Sequence, residues 1–374
     1  MSLNRVIISG GGTGGHIFPA VAIADCIKQH YPACEILFVG ADGKMEMEKV
    51  PRAGYKIVGL PIRGLQRKLT LQNLSFPFKL WKSLRMAKKI IREFKPQIAI
   101  GVGGYASAAT LRVAAKLGVP TLLQEQNSYP GITNKWLADK AKTICVAYEN
   151  LERFFPKEKI VMTGNPVRME MVAIEGKKQK ALSHFSLDPT KKTVLVIGGS
   201  LGARTVNESV LHDISNLLDQ NVQLIWQCGK VYIEQLKADL EKLKGSTVFS
   251  QQGGPVYLAD FVFEMDLAYA AADVIISRAG AISVSEVCLV GKPVILIPSP
   301  NVAEDHQTKN AMALVSKNAA ILVKDIEAKE LLINKTLQLL ADQKLADQLA
   351  ENIKKLGIAD APIRILKEIE KIIS

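Results

Sequence analysis

Cysteines and long apolar runs are scarce in this sequence, and each scarcity excludes a class of protein. Five cysteines among 374 residues, an odd number without a C-x-x-C pair, exclude a disulfide framework and a C-x-x-C zinc site. No run reaches the roughly 18 apolar residues that a transmembrane helix needs, and the N-terminal residues do not have the pattern of a signal peptide. We therefore expect reduced thiols, a cytosolic protein and, at most, a peripheral contact with a membrane.

Several signatures of catalysis and metal binding are also missing. No two aspartates are spaced D-x-D, the pattern with which many enzymes hold a metal ion and a diphosphate, and the P-loop, G-x-S-x-G and HExxH motifs are absent. We therefore predict no metal site and no required cofactor. Whether a divalent cation stimulates the protein stays open.

Short apolar runs alternate with helix-length amphipathic segments along the whole chain. Aromatic residues make up only 6%, and a core of aliphatic side chains in this alternation is typical of βαβ units around a buried parallel sheet. We predict two Rossmann-like, doubly wound α/β domains that face a central cleft, an N-terminal domain of residues 1–164 and a C-terminal domain of residues 165–357. The amphipathic helix within residues 358–374 is predicted to pack back on the first domain.

Three glycine-rich loops each follow an apolar run and precede a helix. Glycine lets the backbone approach an anionic group closely, and the helix that follows directs its first N–H groups to the same place. We predict that the loops bind more than one phosphate group, because the carboxyl ends of strands line the ligand crevice of open α/β sheets. A tight turn without a ligand is the alternative for each loop alone. The loops are Gly10–His16, Gly101–Ser107 and Gly198–Arg204.

The first loop also formally satisfies the dinucleotide fingerprint G-x-G-x-x-G. That fingerprint expects an acidic residue at the end of the second strand, about 20 residues later, and Asp42 lies well beyond this interval. A dehydrogenase is therefore a weak alternative, which predicts binding of NAD.

Two titratable residues are candidates for chemistry at these loops. His16, in the first helical turn, could accept a proton from an attacking hydroxyl at neutral pH, or it could only shape the loop and bind substrate. Glu286 follows the turn at Gly280 and could accept hydrogen bonds from ribose hydroxyls, or it could be an ordinary acid on a helix surface. Gln307 and His306 lie in a polar loop from which they could reach sugar hydroxyls.

The positive charge of the chain, +12 in total, is concentrated between residues 63 and 95. Ten basic residues and one acid occur there, together with Phe76, Phe78, Trp81 and several leucines. Apolar side chains beside a basic rim are typical of a surface that binds an anionic membrane. The alternative is an amphipathic helix whose apolar stripe is core and whose lysines are solvated. Nucleic acid is disfavoured, because no nucleic-acid-binding motif accompanies the charge.

Taken together, the motifs resemble the MurG family of peptidoglycan N-acetylglucosaminyltransferases, which belongs to glycosyltransferase family 28. The resemblance runs in order from residue 6 to about residue 311. It rests on Gly11–His16, Gly103–Tyr105, Gln124–Asn127, Thr133–Lys135, Gly164–Arg168, Gly198–Arg204 and Arg278–Ala281.

The resemblance implies a GT-B fold and an inverting glycosyltransferase. Its donor would be UDP-N-acetylglucosamine (UDP-GlcNAc). Its acceptor would be the 4-hydroxyl of the muramoyl sugar of lipid I, and its product lipid II for peptidoglycan synthesis. It also implies a peripheral location on the cytoplasmic face of the cell inner membrane, with the basic, apolar region facing the inner leaflet. Two rivals stay open: a related transferase with another acceptor such as diacylglycerol, and a sensor that binds the nucleotide sugar without transfer.

By motif matching, the resemblance also implies the site residues. His16 is the leading candidate for the catalytic base, and Gly103, Gly104 and Tyr105 would help to hold the acceptor diphosphate. The donor would be bound by Thr13, Gly14, Gly15, Asn127, Arg168, Ser200, Val262, Ala281, Glu286 and Gln307. The residues around Val262 and before Gln307 depart from the commonest family pattern.

Overall fold

The computed structural model describes residues 2–62, 76–199 and 201–374, and contacts between Cα atoms divide the chain into two compact units. Unit 1 comprises Met1–Val167 and Asp360–Ser374, and unit 2 comprises Arg168–Ala359. The boundaries that the sequence suggested, after residues 164 and 357, lie a few residues before these points.

Unit 1 is built around a parallel sheet with helices on its connections. In its described part, seven strands lie in the order β3-β2-β1-β4-β5-β6-β7. The strands are β1 (Arg5–Gly10), β2 (Glu35–Ala41), β3 (Lys56–Leu60), β4 (Ile98–Gly103), β5 (Thr121–Glu125), β6 (Thr143–Val146) and β7 (Ile160–Met162). The helices are α1 (Gly14–His30), α2 (Glu46–Arg52), α3 (Phe76–Phe94), α4 (Tyr105–Lys116) and α5 (Ile132–Leu137).

Unit 2 repeats this architecture. Between Arg168 and Ala359, as far as the structure describes them, six parallel strands lie in the order β10-β9-β8-β11-β12-β13. The strands are β8 (Lys192–Ile197), β9 (Val222–Gln227), β10 (Val256–Ala259), β11 (Val274–Ser277), β12 (Val294–Leu296) and β13 (Ile321–Leu322). The helices are α6 (Lys178–His184), α7 (Arg204–His212), α8 (Ile214–Asp219), α9 (Ile233–Lys244), α10 (Met265–Ala271), α11 (Ala281–Val290), α12 (His306–Val315), α13 (Ala328–Ala341) and α14 (Gln343–Lys354).

The order of the strands reverses once in each sheet, and the reversal determines where a ligand can bind. The first strand of unit 1, β1, lies between β2 and β4, with Val6 opposite both Ile36 and Ile98. The first strand of unit 2, β8, lies in the same way between β9 and β11. Loops that leave such a point in opposite directions open a crevice at the carboxyl ends of the strands. All three glycine-rich loops follow strands at these two points.

The last helix, α15 (Ala361–Ile373), belongs to unit 1. Its apolar residues Ile365, Leu366 and Ile369 form one face of the helix, as spacings of three and four residues require, and they are buried in one cluster with side chains of β1, β2 and α1. The Tyr31 hydroxyl at the end of α1 donates to Glu370 at 2.7 Å. The helix therefore completes the core of unit 1.

None of the helices in the described ranges combines the length and the apolar composition that crossing a bilayer requires.

Candidate functional site

In unit 1, the first glycine-rich loop connects β1 to α1 by a close approach of backbone to backbone. Gly10 is paired with Gly103 of β4, and a Cβ at residue 10 would lie 2.1 Å from Val102 Cγ2. Gly12 has a φ of +87°, a conformation that glycine adopts without strain. Thr13 is the residue at the N-cap position of α1, and the predicted donor residues Gly14 and Gly15 begin its first turn. The start of a long helix attracts anionic groups, so this loop can bind one.

A buried carboxylate lies behind this loop, which the sequence analysis did not identify. Glu46, the first residue of α2, is 1% exposed. Its Oε2 accepts the backbone N–H of Gly12 at 2.8 Å, and its Oε1 accepts the backbone N–H of Ala41 at 3.0 Å. The N–H of Gly12 is therefore bound to the protein itself. The acidic residue that accepts a hydrogen bond from this loop is Glu46, not Asp42.

The ring of His16 is fixed by the same loop. Its Nδ1 lies 2.9 Å from the carbonyl oxygen of Gly11, and a carbonyl oxygen can only accept, so Nδ1 carries the proton. In the neutral ring the other nitrogen, Nε2, then carries none. A Cβ built on Gly103 would lie 2.8 Å from this Nε2. The nitrogen that can accept a proton is therefore directed at the second glycine-rich loop.

The second glycine-rich loop begins in the last residues of β4 and lies against the first. Gly103 and Gly104 have φ angles of +102° and +89°, and a Cβ on Gly104 would lie 2.7 Å from the carbonyl oxygen of Gly11. Tyr105, at the start of α4, is exposed. Unit 1 therefore brings together three residues that the sequence analysis placed in one site: His16, Gly103 and Gly104.

Asn127 is held by a second carboxylate that the sequence analysis missed as a functional group. Glu125, at the end of β5, is buried and accepts the backbone N–H of Asn127 at 3.0 Å and its side-chain amide at 3.2 Å. It also accepts Gly131 N–H at 3.2 Å and the side-chain amide of Asn134 at 2.9 Å. Burial raises the pKa of Glu125, and these hydrogen bonds lower it in part. Glu125 thereby fixes the turn that carries Asn127.

A network of buried amides connects the carboxyl ends of β4 and β5 to the chain after β7. The Gln126 side chain donates to the Val102 carbonyl at 3.0 Å. The Asn165 side chain donates to the Gln126 carbonyl at 3.0 Å and accepts from the Gln124 side chain at 3.0 Å. Buried polar groups stabilise a single arrangement when their partners are present. The network therefore joins these loop ends of unit 1 to one another.

In unit 2, the third glycine-rich loop and the loop that carries Val262 are joined by Gln227. The buried Gln227 side chain donates through Nε2 to the Gly199 carbonyl at 3.2 Å and accepts the Val262 N–H through Oε1 at 2.9 Å. Gly202 has a φ of +78°, and a Cβ there would lie 2.2 Å from the Cys228 carbonyl oxygen. Ser200, which the sequence analysis placed in the donor site, lies outside the described residues. Gln227 was not singled out from the sequence.

Glu286 lies on α11, whose first residue, Ala281, follows Gly280 at the carboxyl end of β11. The hydroxyl of the fully buried Tyr269 donates to Glu286 Oε2 at 2.9 Å. Burial raises the pKa of Glu286 to about 7, although the hydrogen bond from Tyr269 and the positive charge of Arg168 lower it. Two residues from the predicted site, Arg168 and Glu286, therefore interact in unit 2.

The side chains of Gln307 and Arg278 stabilise the loops after β11 and β12. Gln307 Oε1 accepts the backbone N–H of Ser299 at 2.9 Å, which leaves its amide nitrogen as the atom that can donate to a sugar hydroxyl. Arg278 donates to the carbonyls of Ile297 and Pro298 at 3.1 Å and 3.3 Å and pairs with Asp325. Arg278 therefore has a structural role in its motif.

Two doubly wound parallel units, with two glycine-rich loops in unit 1 and one in unit 2 where the strand order reverses, define a GT-B protein. Comparison with known proteins gives the family. Residues 6–146 match the glycosyltransferase family 28 N-terminal domain, and residues 193–364 match the C-terminal domain of the same family. The chain belongs to glycosyltransferase family 28.

Two similar proteins share the name UDP-N-acetylglucosamine--N-acetylmuramyl-(pentapeptide) pyrophosphoryl-undecaprenol N-acetylglucosamine transferase. The protein of Parabacteroides distasonis is 55% identical over 369 residues, which are 99% of this chain and 98% of the relative. The protein of Flavobacterium psychrophilum is 54% identical over 373 residues, which are 100% of this chain and 99% of the relative.

Among solved structures, MurG of Acinetobacter baumannii superposes with a TM-score of 0.76 at 27% identity and covers 98% of this chain and 99% of its own. A UDP-GlcNAc 2-epimerase from Neisseria meningitidis, 16% identical with a TM-score of 0.69, covers 99% of this chain and 100% of its own. At that identity the second likeness shows the fold alone.

Proposed function

We propose that this protein transfers N-acetylglucosamine from UDP-GlcNAc to the 4-hydroxyl of the muramoyl sugar of lipid I, which gives lipid II for peptidoglycan synthesis. The relatives that are 54–55% identical over nearly the whole chain carry the name of this activity. The structural observation that supports the proposal most is the His16 ring, whose Nδ1 is committed to Gly11 while Nε2 faces the Gly103 loop. A base in this state can accept a proton from a hydroxyl.

The proposed reaction is a single displacement with inversion. The acceptor hydroxyl attacks the anomeric carbon from the face opposite UDP, the new glycosidic bond forms as the bond to UDP breaks, and His16 Nε2 takes the hydroxyl proton. In this proposal Arg168 and the N–H groups of the loop before α7 stabilise the charge on the departing diphosphate. Glu286 accepts hydrogen bonds from the ribose.

The remaining site residues keep their proposed roles. Gly103, Gly104 and Tyr105 would help to hold the acceptor diphosphate. The further donor contacts in the proposal are Thr13, Gly14, Gly15, Asn127, Ser200, Val262, Ala281 and Gln307. No metal ion takes part in this scheme.

The test is transfer of labelled N-acetylglucosamine to a short-chain lipid I analogue, with diacylglycerol as the alternative acceptor. We expect product with the lipid I analogue alone. Product with diacylglycerol alone would identify a related transferase, and tight binding of UDP-GlcNAc without any lipid product would identify a sensor. Binding of NAD in an equilibrium titration would favour a dehydrogenase.

The role of His16 is tested in the same assay. His16→Ala should lower kcat by about 10²- to 10⁴-fold, the usual contribution of a general base, while the KM for UDP-GlcNAc changes little. His30→Ala is the matched control, because His30 lies exposed at the other end of α1. An unchanged kcat in His16→Ala would exclude the base assignment.

We further propose that α3 binds the inner face of the cell membrane. The helix has two sides. Leu84 and Ala87 pack in the core of unit 1, whereas Phe78 and Trp81 are 67% and 51% exposed, with ring centroids 6.1 Å apart. The guanidinium of Arg85 lies 4.6 Å from the Trp81 ring centroid. The exposed aromatic pair is therefore not explained by core packing, and the basic residues around it suit an anionic lipid surface. The part of the basic region at residues 63–75 lies outside the described residues.

Co-sedimentation with vesicles that contain phosphatidylglycerol tests this proposal. Burying one large apolar side chain contributes about 1.5–3 kcal/mol, so Phe78→Ala together with Trp81→Ala should weaken binding by at least about tenfold. Phe263→Ala is the matched control, because Phe263 is as exposed as Phe78 but lies in unit 2. Equal loss in the control, or displacement of the vesicles by RNA, would contradict a membrane surface on α3.

A further inference from the structure

The peptide group between Gly11 and Gly12 is held on both of its sides. Its N–H, from Gly12, donates to Glu46 Oε2 at 2.8 Å. Its carbonyl, from Gly11, accepts the Nδ1–H of His16 at 2.9 Å. One peptide group therefore lies between a buried carboxylate and the imidazole that faces the second glycine-rich loop.

The fold makes room for this carboxylate. A Cβ on Gly11 would lie 2.1 Å from Glu46 Oε1, and a Cβ on Gly40 would lie 2.6 Å from Glu46 Cγ. Glu46 is 1% exposed, and its other oxygen accepts the N–H of Ala41 at the end of β2. Two glycines leave space for the carboxylate, and two backbone N–H groups hold it in one position. A turn before α1 could close without these contacts.

We propose that Glu46 is a positioning residue for His16 and acts through the Gly11–Gly12 peptide group. This inference rests on the proposed function, in which His16 is the base. A hydrogen bond to a carboxylate is stronger than one between neutral groups, and it polarises the peptide so that the Gly11 carbonyl becomes a better acceptor. That carbonyl then holds the proton on Nδ1 and orients Nε2 toward Gly103. The arrangement is equivalent to a carboxylate that orients a histidine directly, with one peptide group inserted between them.

The first loop then has a second role besides binding an anion. The sequence analysis expected its N–H groups to bind phosphate, yet the N–H of Gly12 is committed to Glu46. An anion can therefore bind at the start of α1 but cannot accept the hydrogen bond of the Gly12 N–H, which goes to Glu46. The peptide before Gly12 serves the imidazole instead.

The test combines kinetics with nitrogen NMR of protein labelled with ¹⁵N-histidine, in which the His16 signals are assigned from their loss in His16→Ala. In the unaltered protein His16 should be the Nδ1–H tautomer. In Glu46→Gln the ring should show a mixture of tautomers, and kcat for the lipid I analogue should fall by about 10- to 100-fold, the range found when an outer hydrogen-bond partner of a metal-binding histidine is removed. The KM for UDP-GlcNAc should stay within about twofold. Glu48→Gln is the matched control, because Glu48 lies on the same helix but is exposed and paired with Arg52. This variant should change neither the tautomer of His16 nor kcat.

Glu46→Asp serves as a second variant if Glu46→Gln does not fold, since its shorter side chain withdraws the carboxylate from Gly12 and should give the same two changes. An unchanged tautomer and kcat in the folded variant would overturn the proposal, as would an Nε2–H tautomer in the unaltered protein. The tautomer is measured without any acceptor. Failure of the unaltered protein to make lipid II would therefore count against the proposed function, and failure of the tautomer to respond would count against Glu46.

Discussion

Tyr269→Phe should weaken binding of UDP at neutral pH and leave it almost unchanged in alkali. The change removes one oxygen atom from a fully buried ring, so the packing around it is kept. What it removes is the hydrogen bond to Glu286, which lies at 2.9 Å and lowers the pKa of that carboxyl group. The other charge that lowers this pKa, Arg168, stays in place.

The size of the effect follows from the pKa of Glu286. A hydrogen bond to a charged group contributes about 1.5 kcal/mol, which is roughly tenfold in an ionisation constant. Starting from a pKa of about 7, the ionised fraction near pH 7.5 falls from about three quarters to about one quarter in the variant. If ribose binding needs the ionised carboxylate, the Kd for UDP should rise about threefold near pH 7.5 and by only about a tenth near pH 9.

Isothermal titration of UDP at several values between about pH 7 and pH 9 measures this difference. A ratio of the two Kd values that does not depend on pH would refute a role for the ionisation of Glu286 in UDP binding. Glu286→Gln is the control, because it has no carboxylate to ionise and should bind UDP weakly across the whole range.

Stability, a loop contact in unit 2 and metal dependence give three further predictions. The pKa of Glu286, about 7, lies above its ordinary value of 4.5. The contribution of Glu286 to stability is therefore present below about pH 4.5 and is lost as the pH rises through 7. In urea titrations, the free energy of unfolding of Glu286→Gln should rise relative to that of the unaltered protein by up to about 3 kcal/mol between pH 5 and 8. Gln227→Leu leaves the Val262 N–H and the Gly199 carbonyl without their partner, which should raise the KM for UDP-GlcNAc by about tenfold while kcat changes little. Chelation with EDTA should leave transfer activity within about twofold of the untreated enzyme, since backbone N–H groups and Arg168 are proposed to stabilise the diphosphate.

The fold could be predicted from local pattern because the central strands are built around short apolar runs. Val6, Ile7 and Ile8 are completely buried, as expected for a central parallel strand covered on both faces. The basic segment was harder to interpret, since composition does not assign side chains to the faces of a helix. Leu84 of α3 packs against the core while Trp81 is exposed. The core interpretation therefore accounts for one side of α3 only, and binding of a membrane by the other side stays a prediction.

Candidate site residues that a motif carries could be proposed from the sequence, whereas the partners that the structure gives them could not. His16 directly follows the glycines of the first loop, and Glu286 lies on the helix that begins after Gly280. Glu46 lies 34 residues from the Gly12 N–H that it accepts, and Tyr269 lies 17 residues from Glu286. Nothing local distinguishes Glu46 from the exposed Glu48 on the same helix. The two residues are distinguished by the parallel pairing of β1 with β2, which brings the start of α2 behind the first loop.

The position of α15 in the chain has a consequence for biosynthesis. Ile365 and its neighbours cover side chains of β1, β2 and α1, but they emerge from the ribosome only after Arg168–Ala359 has been made. At about 5–20 residues per second, this intervening stretch takes roughly 10 to 40 s to synthesise. Throughout that interval the nascent N-terminal half exposes an apolar surface that its own last helix has yet to cover, and any chain released before residue 360 keeps that surface exposed.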